Sequence, residues 1–139
     1  MLEVIVDANV WVAALLNPGK PREIQQKLKE KRYQLFFAEP LLKELKEVTS
    51  RPKFHQKIQP QKRDRLIRLI KDKATVIQLP SVFPAISRDP NDDMYLICAK
   101  IAKVDFIVSG DPDLLSLGEY EGVKIITPAK FLKVLLKSQ

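Results

Sequence analysis

The sequence predicts a three-layer α/β/α sandwich on a central, mostly parallel sheet of about five strands. Short β-branched or aromatic runs recur at Val4–Val6, Gln34–Phe37, Thr75–Leu79, Asp105–Ser109 and Val123–Ile126. Between them lie longer stretches whose apolar residues return every three or four positions, the period of a helix with one buried face. Strands that alternate with helices pair in parallel through right-handed crossovers. At 139 residues the chain is long enough for one domain with a proper core and too short for two, so residues 1–139 read as a single unit.

In chain order, Val4-Ile5-Val6 forms a fully buried strand that Asp7 ends. Asn9 then opens a helical pattern with Val10, Trp11, Ala13, Ala14 and Leu15, and Asn17-Pro18-Gly19 stops it. Pro21 suits the first turn of a second, mostly polar helix that buries Ile24 and Leu28. After the second strand, Pro40 starts a helix with Leu41, Leu42, Leu45 and Val48 on one face, which ends at Ser50-Arg51-Pro52. The stretch from Lys53 to Lys73 is the most basic of the chain, and Pro60 starts a helix there with Leu66, Ile67, Leu69 and Ile70. A proline-rich loop, Pro80 to Pro90, follows the third strand. Asp92 and Asp93 open a helix to about Lys103, with Leu96, Ile97, Ala99 and Ile101 inward. The fourth strand ends in a turn, Gly110-Asp111-Pro112-Asp113, and the fifth leads to Thr127 as cap and Pro128 as first residue of the last helix.

The net charge is +7, with 24 Lys and Arg against 17 Asp and Glu. That balance favours a polyanionic partner, nucleic acid above all, through long-range attraction and counterion release. No apolar run approaches the roughly 20 residues of a membrane span, and no basic-then-apolar leader opens the chain; a soluble cytoplasmic protein is expected. The single cysteine, Cys98, excludes an internal disulfide and sits in an apolar helical pattern, so it reads as core. No Gly-rich loop follows a strand, which leaves dinucleotide and P-loop sites unsupported.

The acids are more informative than the net charge. Asp7 and Asp111 each follow an apolar strand and fall on the carboxyl edge of the sheet, where open parallel sheets bind ligands. Asp92 and Asp93 reach the same edge from the start of their helix. Glu44, three residues after Leu41 and four before Val48, borders the buried stripe of its helix. Each position also has an ordinary explanation: Asp7 as a helix cap, Asp92 and Asp93 at a helix N-terminus, Asp111 and Asp113 as turn residues. Four acids converging on one edge is harder to explain that way, because like charges repel and raise one another's pKa. A hard divalent cation, Mg²⁺ or Mn²⁺, relieves that conflict and prefers carboxylate oxygen plus water. An acidic, metal-loaded pocket on a basic protein suits phosphodiester cleavage.

Four ordered motifs, Asp7-Ala8-Asn9-Val10, Glu44-Leu45-Lys46-Glu47-Val48 leading to Arg51-Pro52-Lys53-Phe54, Asp89-Pro90-Asn91-Asp92-Asp93 with Leu96 and Ala99, and Ser109-Gly110-Asp111-Pro112-Asp113-Leu114-Leu115, resemble the PIN-domain proteins. Among these the chain is most similar to toxin components of toxin–antitoxin systems related to VapC toxins. The resemblance spans nearly the whole chain. It implies a Mg²⁺- or Mn²⁺-dependent ribonuclease, commonly dimeric and inhibited by an antitoxin protein. By motif, the carried-over metal-site acids are Asp7, Glu44, Asp92 and Asp111, with Asp93 and Asp113 as substitutes or neighbours. Asn9 and Ser109 match polar positions that orient Asp7 and a water. Trp11 departs from the pattern, where a smaller aliphatic residue is expected, and reads as core or dimer packing.

His55, the only histidine, lies in a basic polar stretch and reads as surface; Tyr33, Phe36 and Phe37 read as core. Arg51, Lys53, Lys62 and Arg63 are candidates for RNA phosphates, against the ordinary alternative of a solvated face. The competing function is a non-catalytic RNA-binding or assembly module on the same fold, but such modules usually lose site acids that this chain keeps. A phosphatase with an Asp nucleophile wants a second Asp where Asn9 stands, and a phosphoacceptor receiver wants a lysine where Thr127-Pro128 stand.

Overall fold

The computed structural model describes residues 1–82, 85 and 90–138. Asp89 and most of the Pro80–Pro90 loop therefore lie outside the described residues. The elements run β1 (Glu3–Val6), α1 (Ala8–Leu16), α2 (Lys20–Lys29), β2 (Gln34–Ala38), α3 (Glu39–Thr49), α4 (Pro52–His55), α5 (Pro60–Lys73), β3 (Thr75–Ile77), α6 (Pro90–Ala102), β4 (Phe106–Val108), α7 (Pro112–Leu117), β5 (Glu119–Tyr120), β6 (Val123–Ile126) and α8 (Pro128–Lys137).

The sheet has six strands in the order β3-β2-β1-β4-β6-β5, all parallel except the β5–β6 pair. The sixth strand corrects the expected five. It is only two residues long and joins β6 through Glu121 and Gly122, at φ 50° and 84°. Two successive positive φ values are what a tight hairpin turn of the right twist requires. Glycine takes that backbone freely and glutamate rarely does, so the Glu-Gly pair gave little warning of a turn. The segment after Asp111, read only as a turn, continues as the six-residue helix α7.

β1 lies inside the sheet between β2 and β4. Its side chains alternate between two cores: Val4 and Val6 pack on one face with Leu35, Phe37, Leu66 and Phe131, and Ile5 on the other with Leu96, Ile107 and Leu114. Burial on both faces explains why the strand is a continuous apolar run. Each such side chain contributes roughly 1.5–3 kcal/mol relative to an exposed one. Helices α1, α2, α3, α5 and α8 cover the first face, and α6 and α7 the second. Trp11 is buried in the first core, which settles its role as packing. Tyr33 is buried there too, edge-on to Phe131 at 5.2 Å, with its hydroxyl donating to the Ile24 carbonyl at 2.9 Å. Cys98 is buried on the second face, where burial pushes its thiol pKa up to about 12. Ile101, expected inward, is 45% exposed because it lies on the outer side of α6 near its end.

The strand order also locates a crevice. From β1 the chain moves outward on one side through β2 and β3, then returns to the other side of β1 as β4 and continues to β6. The order therefore reverses between β1 and β4. Ligands of open α/β sheets bind outside the carboxyl ends of the strands at such a reversal, and Asp7 and Ser109 stand at those two ends.

Candidate active site

Parallel register places the first two groups. Val6 is paired with Val108, and the Asp7 amide donates to the Val108 carbonyl at 2.9 Å. The next residues along each strand, Asp7 and Ser109, are therefore side by side. Ser109 is fully buried and Asp7 is 3% exposed. The Ser109 hydroxyl donates to Asp7 Oδ2 at 2.8 Å, while its oxygen accepts the Asp111 amide at 3.0 Å. One hydroxyl thus ties together the two acids at the ends of β1 and β4.

Asp7 is also the N-cap of α1, its Oδ1 accepting the Asn9 amide at 3.0 Å. The cap that the sequence allowed is therefore present. Asn9 acts through its backbone, and its side chain is exposed. Asp111 repeats the arrangement one strand away, capping α7 by accepting the Asp113 amide at 2.9 Å. Burial raises the pKa of Asp7 above its ordinary value; the Asn9 amide and Ser109 hydroxyl pull it down, the Asp111 charge pushes it up, and Tyr95 pulls it down.

Glu44 reaches the cluster from α3, where it is half-buried as the sequence pattern implied. Its partner is a residue that sequence reasoning passed over. Tyr95 donates its hydroxyl proton to Glu44 Oε2 at 3.1 Å and accepts the Ala8 amide at 3.0 Å. Its position, three residues after Asp92, puts both on one side of α6, and that spacing was the available signal. It was masked because a tyrosine beside Leu96 and Ala99 fits an ordinary core stripe. Burial, then the charges of Asp7 and Glu44, push the Tyr95 pKa well up, so it stays a proton donor.

Asp92 and Asp93 lie in the first turn of α6 at 6% and 3% exposure, an unusual burial for carboxylates. The N-terminal position favours their charge. Asp113 is exposed, as is Glu47, which pairs with Arg51 at 4.0 Å. His55 is exposed in α4, at the surface as the sequence implied.

Among the described residues, no three His, Cys, Asp or Glu side chains are grouped so that they could hold a metal ion as they stand. What fits a cation is the donor chemistry. Asp7, Asp92 and Asp93 are buried, Asp111 acts on Asp7 as a like charge, and Glu44 and Asp7 both act on Tyr95. Buried carboxylates, one of them repelled by a neighbouring acid, suit a hard divalent ion, and an all-oxygen set favours Mg²⁺ or Mn²⁺ over Zn²⁺.

The architecture is a parallel α/β sheet with the buried Asp7 and Ser109 side by side at its switch point. The sequence profile of the PIN domain matches residues 3–113, which include all these acids, and the chain belongs to the PIN-domain family, whose members are generally nucleases. The chain is 27% identical over 141 aligned positions to an uncharacterized protein of Methanocaldococcus jannaschii, covering 95% of this chain and 90% of that protein. Its fold is similar to a chain in the crystal structure of VapBC2 from Rickettsia felis bound to a DNA fragment from their promoter. There the TM-score is 0.59 at 12% identity, with 91% of this chain and 98% of that chain covered. Among the described residues no helix is long and apolar enough to cross a membrane.

Proposed function

We propose that this protein is a Mg²⁺- or Mn²⁺-dependent endoribonuclease and the toxin of a toxin–antitoxin pair. The observation that carries the reading is the linked set of acids at the switch point, with Asp7 and Asp111 joined through Ser109 and Glu44 joined through Tyr95. Asp7, Glu44, Asp92 and Asp111 would hold the ion, with Asp93 adjacent. A divalent ion bound there supplies charge to offset the phosphate and acidifies water. The chain's own part is positioning. Ser109 and the Asn9 amide fix Asp7, the Asp113 amide fixes Asp111, and one of the carboxylates takes the proton released by the attacking water. Likeness to VapBC2 supports an antitoxin protein as partner, and the resemblance to PIN-domain toxins implies a dimer.

The test is direct. Purified protein should cleave single-stranded RNA in added Mn²⁺ or Mg²⁺ and stop in EDTA. Cleavage that survives exhaustive chelation overturns the metal mechanism. RNA binding without cleavage under any metal favours the non-catalytic module instead.

A basic face supports RNA as the substrate. A groove of about 450 Å³ between α3 and α5 is lined by Lys46, Arg63, Arg68 and Lys71, and α3 is also the helix that brings Glu44 to the acids. A second groove, of about 760 Å³, runs along the other side of α5 past Lys62 and Arg65. Of the four cations singled out in the sequence, Arg63 and Lys62 line these grooves. Arg63 also pairs with Asp64 at 3.3 Å, Arg51 pairs with Glu47, and Lys53 lies over the Phe54 ring at 4.9 Å. Reversing Arg63 and Arg68 to Glu should weaken RNA binding and flatten its salt dependence, the log–log slope falling by about 0.7 for each phosphate no longer neutralised. Affinity measured across a salt series checks this, and an unchanged slope would leave the face as solvent-facing charge.

A further inference from the structure

We infer that Tyr95 is a positioning residue of the carboxylate site, its hydroxyl holding Glu44 in place for a hard divalent cation. The inference rests on the metal-site reading above and adds to it a residue outside the four acids.

Tyr95 is 2% exposed, among the largest fully buried side chains of the molecule. Its ring packs in the second core beside Leu96 and Leu41. A phenylalanine ring would serve that packing equally. A buried hydroxyl costs free energy unless it is hydrogen-bonded, so the oxygen is explained by its partners, not by the core. A backbone amide can only donate, so the phenol oxygen accepts from Ala8. Glu44, as a carboxylate, can only accept, so the phenol donates to Oε2, with Asp7 the second carboxylate that its hydroxyl serves.

Three elements meet at that oxygen. Ala8 directly follows Asp7 and opens α1, Glu44 comes from α3, and Tyr95 itself from α6, one turn beyond Asp92. Asp7 is already fixed by Ser109 and the Asn9 amide. Glu44 is longer, on the border of a helix face, and ordering a glutamate costs rotamer freedom. The buried phenol is a fixed donor that favours one such conformation before any ion arrives. Partners of this kind, outside the ligand set, typically matter 10–100-fold for metal affinity or activity.

Tyr95→Phe keeps the ring and removes only the hydroxyl. The expected result is a Mn²⁺ dissociation constant raised by roughly 10-fold or more, read by calorimetry or by the spin resonance of free Mn²⁺. RNA cleavage should lose kcat with KM for RNA nearly unchanged. In a Glu44→Gln background the same change should add little to the Mn²⁺ defect, because the two groups act as one unit. A Tyr95→Phe protein that melts lower in EDTA yet binds Mn²⁺ like wild type overturns the inference and leaves Tyr95 as core. So does an undiminished Mn²⁺ affinity in Glu44→Gln alone, a result obtainable even if Tyr95→Phe fails to fold. Wild-type protein that neither binds Mn²⁺ nor cleaves RNA is a different outcome: it removes the metal-site reading itself, and the inference with it.

Discussion

Asp7→Asn should abolish RNA cleavage while leaving the metal-free protein as stable as wild type or more so. The two halves of this result have one cause. Asp7 is buried at the end of β1, and its folded-state pKa is raised, first by desolvation and further by Asp111. A raised carboxylate pKa means that the ionised form opposes folding. The protonated form is the one the fold favours, and that advantage is lost as pH rises from about 3.8 through the raised value. At neutral pH the wild type therefore carries a charge that folding does not need. Asparagine removes the charge, still accepts the Asn9 amide as a cap, and can donate to the Ser109 oxygen. The stability gap between mutant and wild type should shrink as pH falls, because the wild type loses the same charge by protonation.

Metal should reverse the order. Binding to the native state at 100 times its dissociation constant adds about 2.7 kcal/mol. Wild type should gain that increment with Mn²⁺ and the mutant much less. Because a partner outside the ligand set is already worth roughly 10–100-fold, loss of a direct ligand should cost at least about 100-fold in cleavage. Thermal melts in EDTA and in Mn²⁺, beside an RNA-cleavage assay, give both readouts. A mutant that cleaves like wild type would reduce Asp7 to the helix cap that it also is.

Most of the architecture was legible because it is written in short-range patterns. The β-branched run at Val4–Val6, the apolar spacing in α3 and α5, and the Thr127-Pro128 start of α8 all appear as read. The Thr127 side chain does accept the Lys130 amide, at 3.1 Å. What escaped was either too short to carry a period or set by partners distant in sequence. β5 is two residues and α4 is four, below the length at which alternation or helical spacing can be seen. The role of Tyr95 depends on Glu44 and Ala8, 51 and 87 residues away in sequence. No local pattern encodes such a contact. The acids were easier, because charge in an apolar setting is itself anomalous: Asp7 ends an apolar strand, and Asp111 follows one closely. Between Asp92 and Asp93 the sequence could not choose, and burial alone does not separate them either, since both are nearly inaccessible.

Ser109→Ala tests the same site from its neutral side, and it should damage both stability and cleavage. The hydroxyl is fully buried and has two obligations, donating to Asp7 Oδ2 at 2.8 Å and accepting the Asp111 amide at 3.0 Å. Alanine leaves a buried carboxylate with one fewer donor and an amide without that acceptor. Each buried polar group left unsatisfied costs about 1–3 kcal/mol, so the loss should be plain in urea unfolding. Its pH dependence is the sharper check. Ser109 holds the Asp7 pKa down against desolvation, so its removal raises that pKa further. The penalty for an ionised Asp7 is then larger, and the destabilisation should grow as pH rises through the raised value. Below about 3.8, where Asp7 is protonated in folded and unfolded chains alike, only the loss of neutral hydrogen bonds remains. Asp7→Asn and Ser109→Ala should therefore move metal-free stability in opposite directions at neutral pH while both impair cleavage. A purely structural site predicts otherwise, because removing either partner of a stabilising bond would weaken the fold. Equal destabilisation by the two substitutions, with cleavage intact, would mean that the acids at this edge serve the helix caps and nothing more.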